Sequence, residues 1–258
     1  MLRKAVVGFM VKERGIYKTI GSGTFVFHDG RLLIVSAAHV FEDLIGKDPV
    51  FLHVNSVSKM FKLVSFKVIV SNMDYAHGLR VDDTLDLGAM IVPDWVVDQC
   101  NGHISMVEED LIECDGNKES VRFYQAIGYP GKKNDRLAKS AARTKKLFSP
   151  EILIYSGSAK RASSVPDKNF CDEHHVIFEW NDKRNYDDNG RMVNVPEPAG
   201  ISGGIIQGCF DYLPHSNGFY PTCAAGIVTE KNTSEKSMSG TRFSTIYDWL
   251  RLHDKILK

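Results

Sequence analysis

The chain has 258 residues, 32 basic against 32 acidic side chains, 43% hydrophobic residues and five cysteines. A formal net charge of zero excludes a chain that is basic throughout, of the kind that coats nucleic acid or an anionic membrane, and leaves local patches open. Cys100, Cys114, Cys171, Cys209 and Cys223 are odd in number and too sparse for the disulfide framework of a small secreted protein, so reduced thiols and a cytoplasmic location are expected.

In chain order the apolar runs are short and bounded by Gly, Asp, Asn or Pro, which predicts a mainly β chain. Strands are expected at 5–11, 23–27, 31–36, 50–54, 62–70, 85–92, 121–127, 151–156, 175–180, 203–208 and 223–229. The first run is broken at Gly8, followed by Lys12-Glu13-Arg14 and without a small-residue cleavage pattern. It is a poor leader and too short for a bilayer, so no membrane partner is expected. Residues 96–117 read as a connection. Lys132 to Lys146 carries seven cations against one acid, Asp135, a net +6 set against −6 for the rest; it is expected to be a solvated loop where a regulatory or acidic partner docks. A closing helix is predicted near 241–257, with Ile246, Leu250 and Ile256 at helical spacing behind Ser244 or Thr245 as cap.

Chemistry concentrates in three places. In Pro198-Ala199-Gly200-Ile201-Ser202-Gly203-Gly204, glycines on both sides of a serine permit a tight turn that exposes Oγ and aims the Gly200 and Ser202 N–H groups into one space, as an oxyanion hole requires. A plain flexible turn fits the same letters. A serine nucleophile needs a base, and His39 ends the run Leu33-Ile34-Val35-Ser36-Ala37-Ala38-His39-Val40, which places its ring at a strand end. Upstream, Gly21-Ser22-Gly23 supplies a glycine corner. Asp86, in Thr84-Leu85-Asp86-Leu87-Gly88-Ala89-Met90, begins a strong apolar strand where an unpaired acid is costly to bury. Asp82 and Asp83 would serve equally as turn-capping acids.

Ser-Ala-Ala-His-Val, Asp-Leu-Gly-Ala-Met and Gly-Ile-Ser-Gly-Gly, in the order His, Asp, Ser with gaps of 47 and 116 residues, resemble the active-site motifs of the trypsin-like, chymotrypsin-fold serine peptidases. Gln125-Ala126-Ile127-Gly128-Tyr129-Pro130 and Ala225-Gly226-Ile227-Val228-Thr229 extend the resemblance over nearly the whole chain. It implies an all-β fold of two antiparallel six-stranded barrels and a C-terminal helix: first barrel about 1–95, connection about 96–117, second barrel about 118–240, helix about 241–257. It further implies a serine endopeptidase with Ser202 as nucleophile, His39 as base, Asp86 as its orienting acid and the Gly200 and Ser202 N–H groups as oxyanion donors, needing no cofactor or metal. Two departures stand out. Ile201 replaces the acid that usually receives a cleaved N-terminus, and Val40 replaces a disulfide cysteine. The specificity positions align at Pro196 and at Thr229-Glu230-Lys231, which names no preferred side chain.

Other readings are weaker. Gly200-Ile201-Ser202-Gly203-Gly204 also fits the nucleophile elbow of α/β-hydrolases, but that fold runs Ser, acid, His with a helix after the serine. A catalytically silent trypsin-like binding scaffold is the main alternative. Nucleic-acid binding at Lys132–Lys146 lacks interleaved aromatics. Cys171 beside His174-His175 lacks a second cluster at zinc spacing; that histidine pair is expected at a strand-end surface. Trp95, Trp180 and Trp249 are expected to pack in the core or at its rim, and Asp187-Asp188-Asn189-Gly190 reads as a β-turn.

Overall fold

The computed structural model describes residues 2–74, 79–80, 83–112, 121–165, 169–180, 185–187, 192–193, 198–210 and 222–257. The first half begins with β1 (Val6–Glu13) and β2 (Ile16–His28), joined through Arg14 and Gly15, both at positive φ. Asp29 and Gly30 repeat that arrangement before β3 (Arg31–Ala37). Two positive-φ residues between paired strands are what a type I′ hairpin turn demands. A short helix, Ala38–Leu44, follows, then β4 (Val50–Val54), β5 (Lys59–Leu63), β6 (Val68–Val70), the small pair β7 (Met73–Asp74) and β8 (Leu79–Arg80), and β9 (Leu87–Ile91). The sheet runs β5-β4-β1-β2-β3-β9-β6.

The second half contains β10 (Val121–Gly128), a helix over Gly131–Thr144, β11 (Leu153–Lys160), β12 (His175–Glu179), β13 (Asn185–Asp187), β14 (Met192–Val193), β15 (Ile205–Phe210), β16 (Thr222–Asn232) and β17 (Ser237–Arg242). Its order is β10-β15-β16-β17-β12-β11, with β10 also pairing β11, so six strands close into a barrel. Closure satisfies both edge strands, which an open sheet leaves exposed. β13 and β14 extend the sheet beyond β11.

The C-terminal helix, Phe243–Leu257, buries Phe243, Ile246, Tyr247, Trp249 and Leu250; Ile256 stays exposed. It packs across the halves: its apolar side chains share one core with Phe9, Phe25, Leu33, Ile34 and Phe41 of the first half and with Ile127, Tyr129 and Ile205 of the second. Tyr247 Oη donates toward the Phe27 and Val107 carbonyls at 3.2 and 3.1 Å. Trp180 and Trp249 are buried, and Trp95 is partly exposed against Phe61.

Several expectations need correction. The 62–70 run is two strands, β5 and β6. Lys132–Lys146 is not a loop: residues through Thr144 are helical, because Leu137, Ala138, Ala141 and Ala142 are strong helix formers and Lys and Arg rank close behind. β17 escaped the apolar-run criterion, since Ser237-Met238-Ser239-Gly240-Thr241-Arg242 has no apolar run, yet every residue in it is buried. Its defining feature is close backbone approach. A Cβ on Gly240 would lie 2.0 Å from the Ile227 carbonyl oxygen.

Candidate active site

His39 lies in the first turn of the Ala38–Leu44 helix, not on the strand end itself. The helix is pinned by two glycine notches. Val40 packs where a Cβ on Gly21 of β2 would stand, 2.6 Å away, and Phe41 occupies the same relation to Gly88 of β9 at 2.5 Å. With Ala38, Val40, Phe41 and Leu44 buried, His39 is left on the open side with 39% of its side chain exposed.

Asp86 precedes β9 instead of starting it and has φ +48. That left-handed conformation is tolerated by short polar side chains. Its carboxylate grips the histidine at two atoms: Oδ2 lies 2.6 Å from His39 Nδ1, and Oδ1 accepts the His39 backbone N–H at 3.1 Å. The Asp86 carbonyl accepts the Ala38 N–H at 2.9 Å. A carboxylate oxygen accepts, so Nδ1 is the donor in this pair, an arrangement that in the neutral imidazole leaves the lone pair on Nε2.

The turn holding Asp86 is itself held from four sides. Asp83 Oδ1 accepts the Leu85 and Asp86 N–H groups at 3.2 and 3.0 Å, while its Oδ2 accepts the Ser71 hydroxyl at 2.6 Å. From the second half, Thr241 Oγ1 donates to the Leu85 carbonyl at 2.6 Å, and His175 Nε2 lies 3.0 Å from the Thr84 carbonyl. Burial lowers the pKa of His175, and its ring spans the gap between the Thr84 carbonyl at Nε2 and the Cys171 backbone, whose N–H and carbonyl each lie 3.2 Å from Nδ1. His175 is therefore a buried clamp and not strand-end surface.

Ser202 sits in a loop framed by Gly200 at φ +88 and Gly203 at φ +82. A Cβ on Gly203 would come within 2.1 Å of both the Ser22 carbonyl oxygen and Ser36 Oγ. The loop is therefore pressed against the strand that leads into the His39 helix. Ser22 N–H donates to the Ser202 carbonyl at 2.8 Å, and Thr24 Oγ1 donates to that of Gly203 at 3.1 Å. Within the loop the N–H groups of Ile201, Gly203 and Gly204 donate to the carbonyls of Pro198, Val228 and Ile201. Those of Gly200 and Ser202 have no acceptor among the described residues.

No protein-family model matches the chain, and no curated protein does. Among solved structures, the Drosophila Grass clip serine protease of the Toll pathway is similar with a TM-score of 0.57 at 14% identity, over 96% of this chain and 68% of that one. A Glu endopeptidase in complex with MPD gives 0.51 at 14% identity, over 98% and 91%. The chain has the chymotrypsin fold. Identity this low speaks to architecture alone.

Within this chymotrypsin fold the first half supplies His39 and Asp86, and the barrel supplies Ser202. Thr229 lies in β16 at a register shift between Val228 and Glu230, beside the Val228 backbone that bonds both Gly203 and Gly204. Thr229 is buried. Glu230 instead lines a small recess with Val165, Phe170 and Ile177, and Lys231 is partly buried opposite Met238. Pro196 lies outside the described residues. Among them no cluster of metal-ligating side chains is assembled, and no helix is long and apolar enough to cross a membrane. Asp83 caps the turn as the sequence suggested it could, whereas Ser22, Thr241 and His175 were missed as supports. Only Ser22 left a trace, as the residue inside the Gly21-Ser22-Gly23 corner.

Proposed function

We propose that this chain is a serine endopeptidase. Ser202 Oγ attacks the scissile carbonyl as its proton passes to His39 Nε2; the C–N bond then breaks, and His39 returns that proton to the leaving amine. Water, activated by the same imidazole, hydrolyses the acyl-enzyme and regenerates Ser202, the general scheme of trypsin-like enzymes. Asp86 keeps the proton on Nδ1 and balances the imidazolium. Gly200 and Ser202 N–H groups serve as donors to the oxyanion.

The observation that carries this reading is the two-point grip of Asp86 on His39, beside a glycine-framed serine loop with two uncommitted N–H groups. Ile201 adds support for an enzyme that needs no zymogen cut: its side chain is buried against Gly128, where a Cβ would lie 2.6 Å from Ile201 Cγ1. Apolar packing thus anchors the position that an acid and a new N-terminus hold in secreted relatives. The cytoplasmic assignment is part of the same reading and rests on the cysteines, of which Cys100, Cys171, Cys209 and Cys223 are free thiols.

One observation favours the silent-scaffold alternative. Ser202 Oγ makes no hydrogen bond among the described residues, although such contacts often tighten only when substrate binds. A fluorophosphonate probe decides between the two. The expected result is covalent labelling at Ser202 in the folded protein and none in Ser202→Ala, with matched unfolding midpoints. Folded wild type that stays unlabelled where a control peptidase reacts would leave the scaffold reading.

A further inference from the structure

The Gly131–Thr144 helix separates a buried inner side from an exposed basic one. Its inner side is Gly131, Asn134 and Ala138, all buried. The Asn134 side chain donates to the Pro130 and Glu151 carbonyls and accepts the Glu151 N–H. Asp135, the only acid in the helix, accepts the Thr19 N–H at 3.1 Å. On the outside, Lys132, Arg136, Lys139 and Arg143 follow one another at spacings of four, three and four residues, and all are exposed. That recurrence keeps them on one face, in a stripe about 16 Å long at 1.5 Å rise per residue. Arg136, Lys139 and Arg143 have no acidic partner among the described residues. Lys133, off the stripe, is paired with Glu151 at 2.7 Å.

The same helix begins against the serine loop. Gly131 N–H donates to the Ala199 carbonyl at 2.6 Å, and a Cβ on Gly200 would lie 2.7 Å from Gly131 N. Displacement of the helix start is thus transmitted directly to the peptide that precedes Gly200.

We propose that this stripe docks an acidic polypeptide segment and that docking alters the Ser202 loop through the Gly131–Ala199 contact. A polypeptide fits better than a single-stranded nucleic acid because the helix has no aromatic side chain on which bases would stack. Four cations about one turn apart complement carboxylates at the same spacing on an acidic helix, and opposed charges of this kind steer association. The docking half stands without the peptidase reading; the coupling half rests on it.

Fluorescence anisotropy with labelled poly-L-glutamate tests docking. The wild type is expected to bind at low ionic strength and to lose binding as salt rises. Arg136→Gln/Lys139→Gln/Arg143→Gln is expected to bind at least about tenfold more weakly, with unchanged unfolding midpoint. Lys47→Gln/Lys62→Gln/Lys255→Gln, which removes the same charge from exposed sites elsewhere, should bind like wild type. Equal loss in both variants, absence of binding, or tighter binding of a single-stranded oligonucleotide of matched charge would each overturn the proposal. Fluorophosphonate labelling with and without poly-L-glutamate reads the coupling: a several-fold rate change in wild type and none in the stripe variant is expected. Binding with an unchanged labelling rate refutes the coupling, and binding with no labelling under any condition refutes the peptidase reading while docking stands.

Discussion

Ser22 and Ser202 are joined by a backbone hydrogen bond of 2.8 Å, from the N–H of a strand in the first half to the carbonyl of the proposed nucleophile in the second. The Ser22 hydroxyl adds a second tie, donating to the Gly200 carbonyl at 3.1 Å while accepting the Tyr129 N–H at 2.8 Å. Its carbonyl accepts the Ser36 hydroxyl at 2.7 Å, three residues before His39. One fully buried serine thereby references the serine loop to the histidine segment.

Ser22→Ala removes the hydroxyl and leaves the Gly200 carbonyl and Tyr129 N–H without that partner. A stability loss of roughly 1–3 kcal/mol is expected from the unsatisfied groups. Because the proposed oxyanion donors move with Gly200, kcat should fall while KM changes little. Chemical denaturation and steady-state peptide hydrolysis measure the two effects, and an unchanged kcat would show that Ser22 supports folding only.

Asp86→Asn tests the proposed orienting role with little change of shape, since Asn also tolerates the left-handed conformation that Asp86 adopts. An amide facing Nδ1 favours the tautomer whose Nε2 is protonated, which removes the lone pair that the proposed base needs to accept the Ser202 proton. The expected loss in kcat is of order 10⁴-fold, the size that the wrong tautomer produces in trypsin-like enzymes. The unfolding midpoint should shift by far less than the activity does, and an active Asp86→Asn variant would refute the role.

His53 provides a pH signature for the junction of the halves. Its Nδ1 lies 2.8 Å from Tyr129 Oη inside the core, and burial lowers its pKa from 6.5 to about 4. Above pH 6.5 the ring is neutral in folded and unfolded chains alike. As pH falls from 6.5 towards 4, only the unfolded chain takes up the proton, so folding stability declines, by about 3 kcal/mol across that window. His53→Gln should flatten this part of the stability profile when unfolding free energy is measured at several pH values; parallel profiles would count against the assignment.

Thiol chemistry should separate one cysteine from three. Cys171 is exposed, while Cys100, Cys209 and Cys223 are buried. Burial pushes the Cys209 thiol up to about 12, with Cys223 nearby adding to the effect. Since the thiolate is the reactive form, iodoacetamide at mildly alkaline pH should modify Cys171 at least about tenfold faster than Cys209 in the native protein. Peptide mapping by mass spectrometry checks this, and comparable rates at the two sites would contradict the burial.

The His39, Asp86 and Ser202 motifs were legible because each combines a chemical group with a local signal: small residues before the histidine, an apolar strand after the acid, glycines around the serine. Strand β4 was legible to the residue, since its apolar run is bounded on both sides. The basic helix was not, because five cations within it mask the Leu137, Ala138 and Ala141 spacing that makes it helical. Strand β17 was not, because hydroxyl groups and a glycine in close backbone contact carry no hydrophobic period.

Residue order and local pattern alone were enough for a mainly β chain, a closing helix and the three candidate positions. Tertiary structure decided which of several acids meets His39: Asp83 is spent capping the Leu85 and Asp86 N–H groups, which leaves the Asp86 carboxylate turned to the imidazole. It also decided what holds that geometry, since Ser22, His175 and Thr241 act on residues 91 to 180 positions away. A hydrogen bond between such distant residues leaves no period or spacing in the chain; it exists only once the sheet and barrel bring their backbones within about 3 Å.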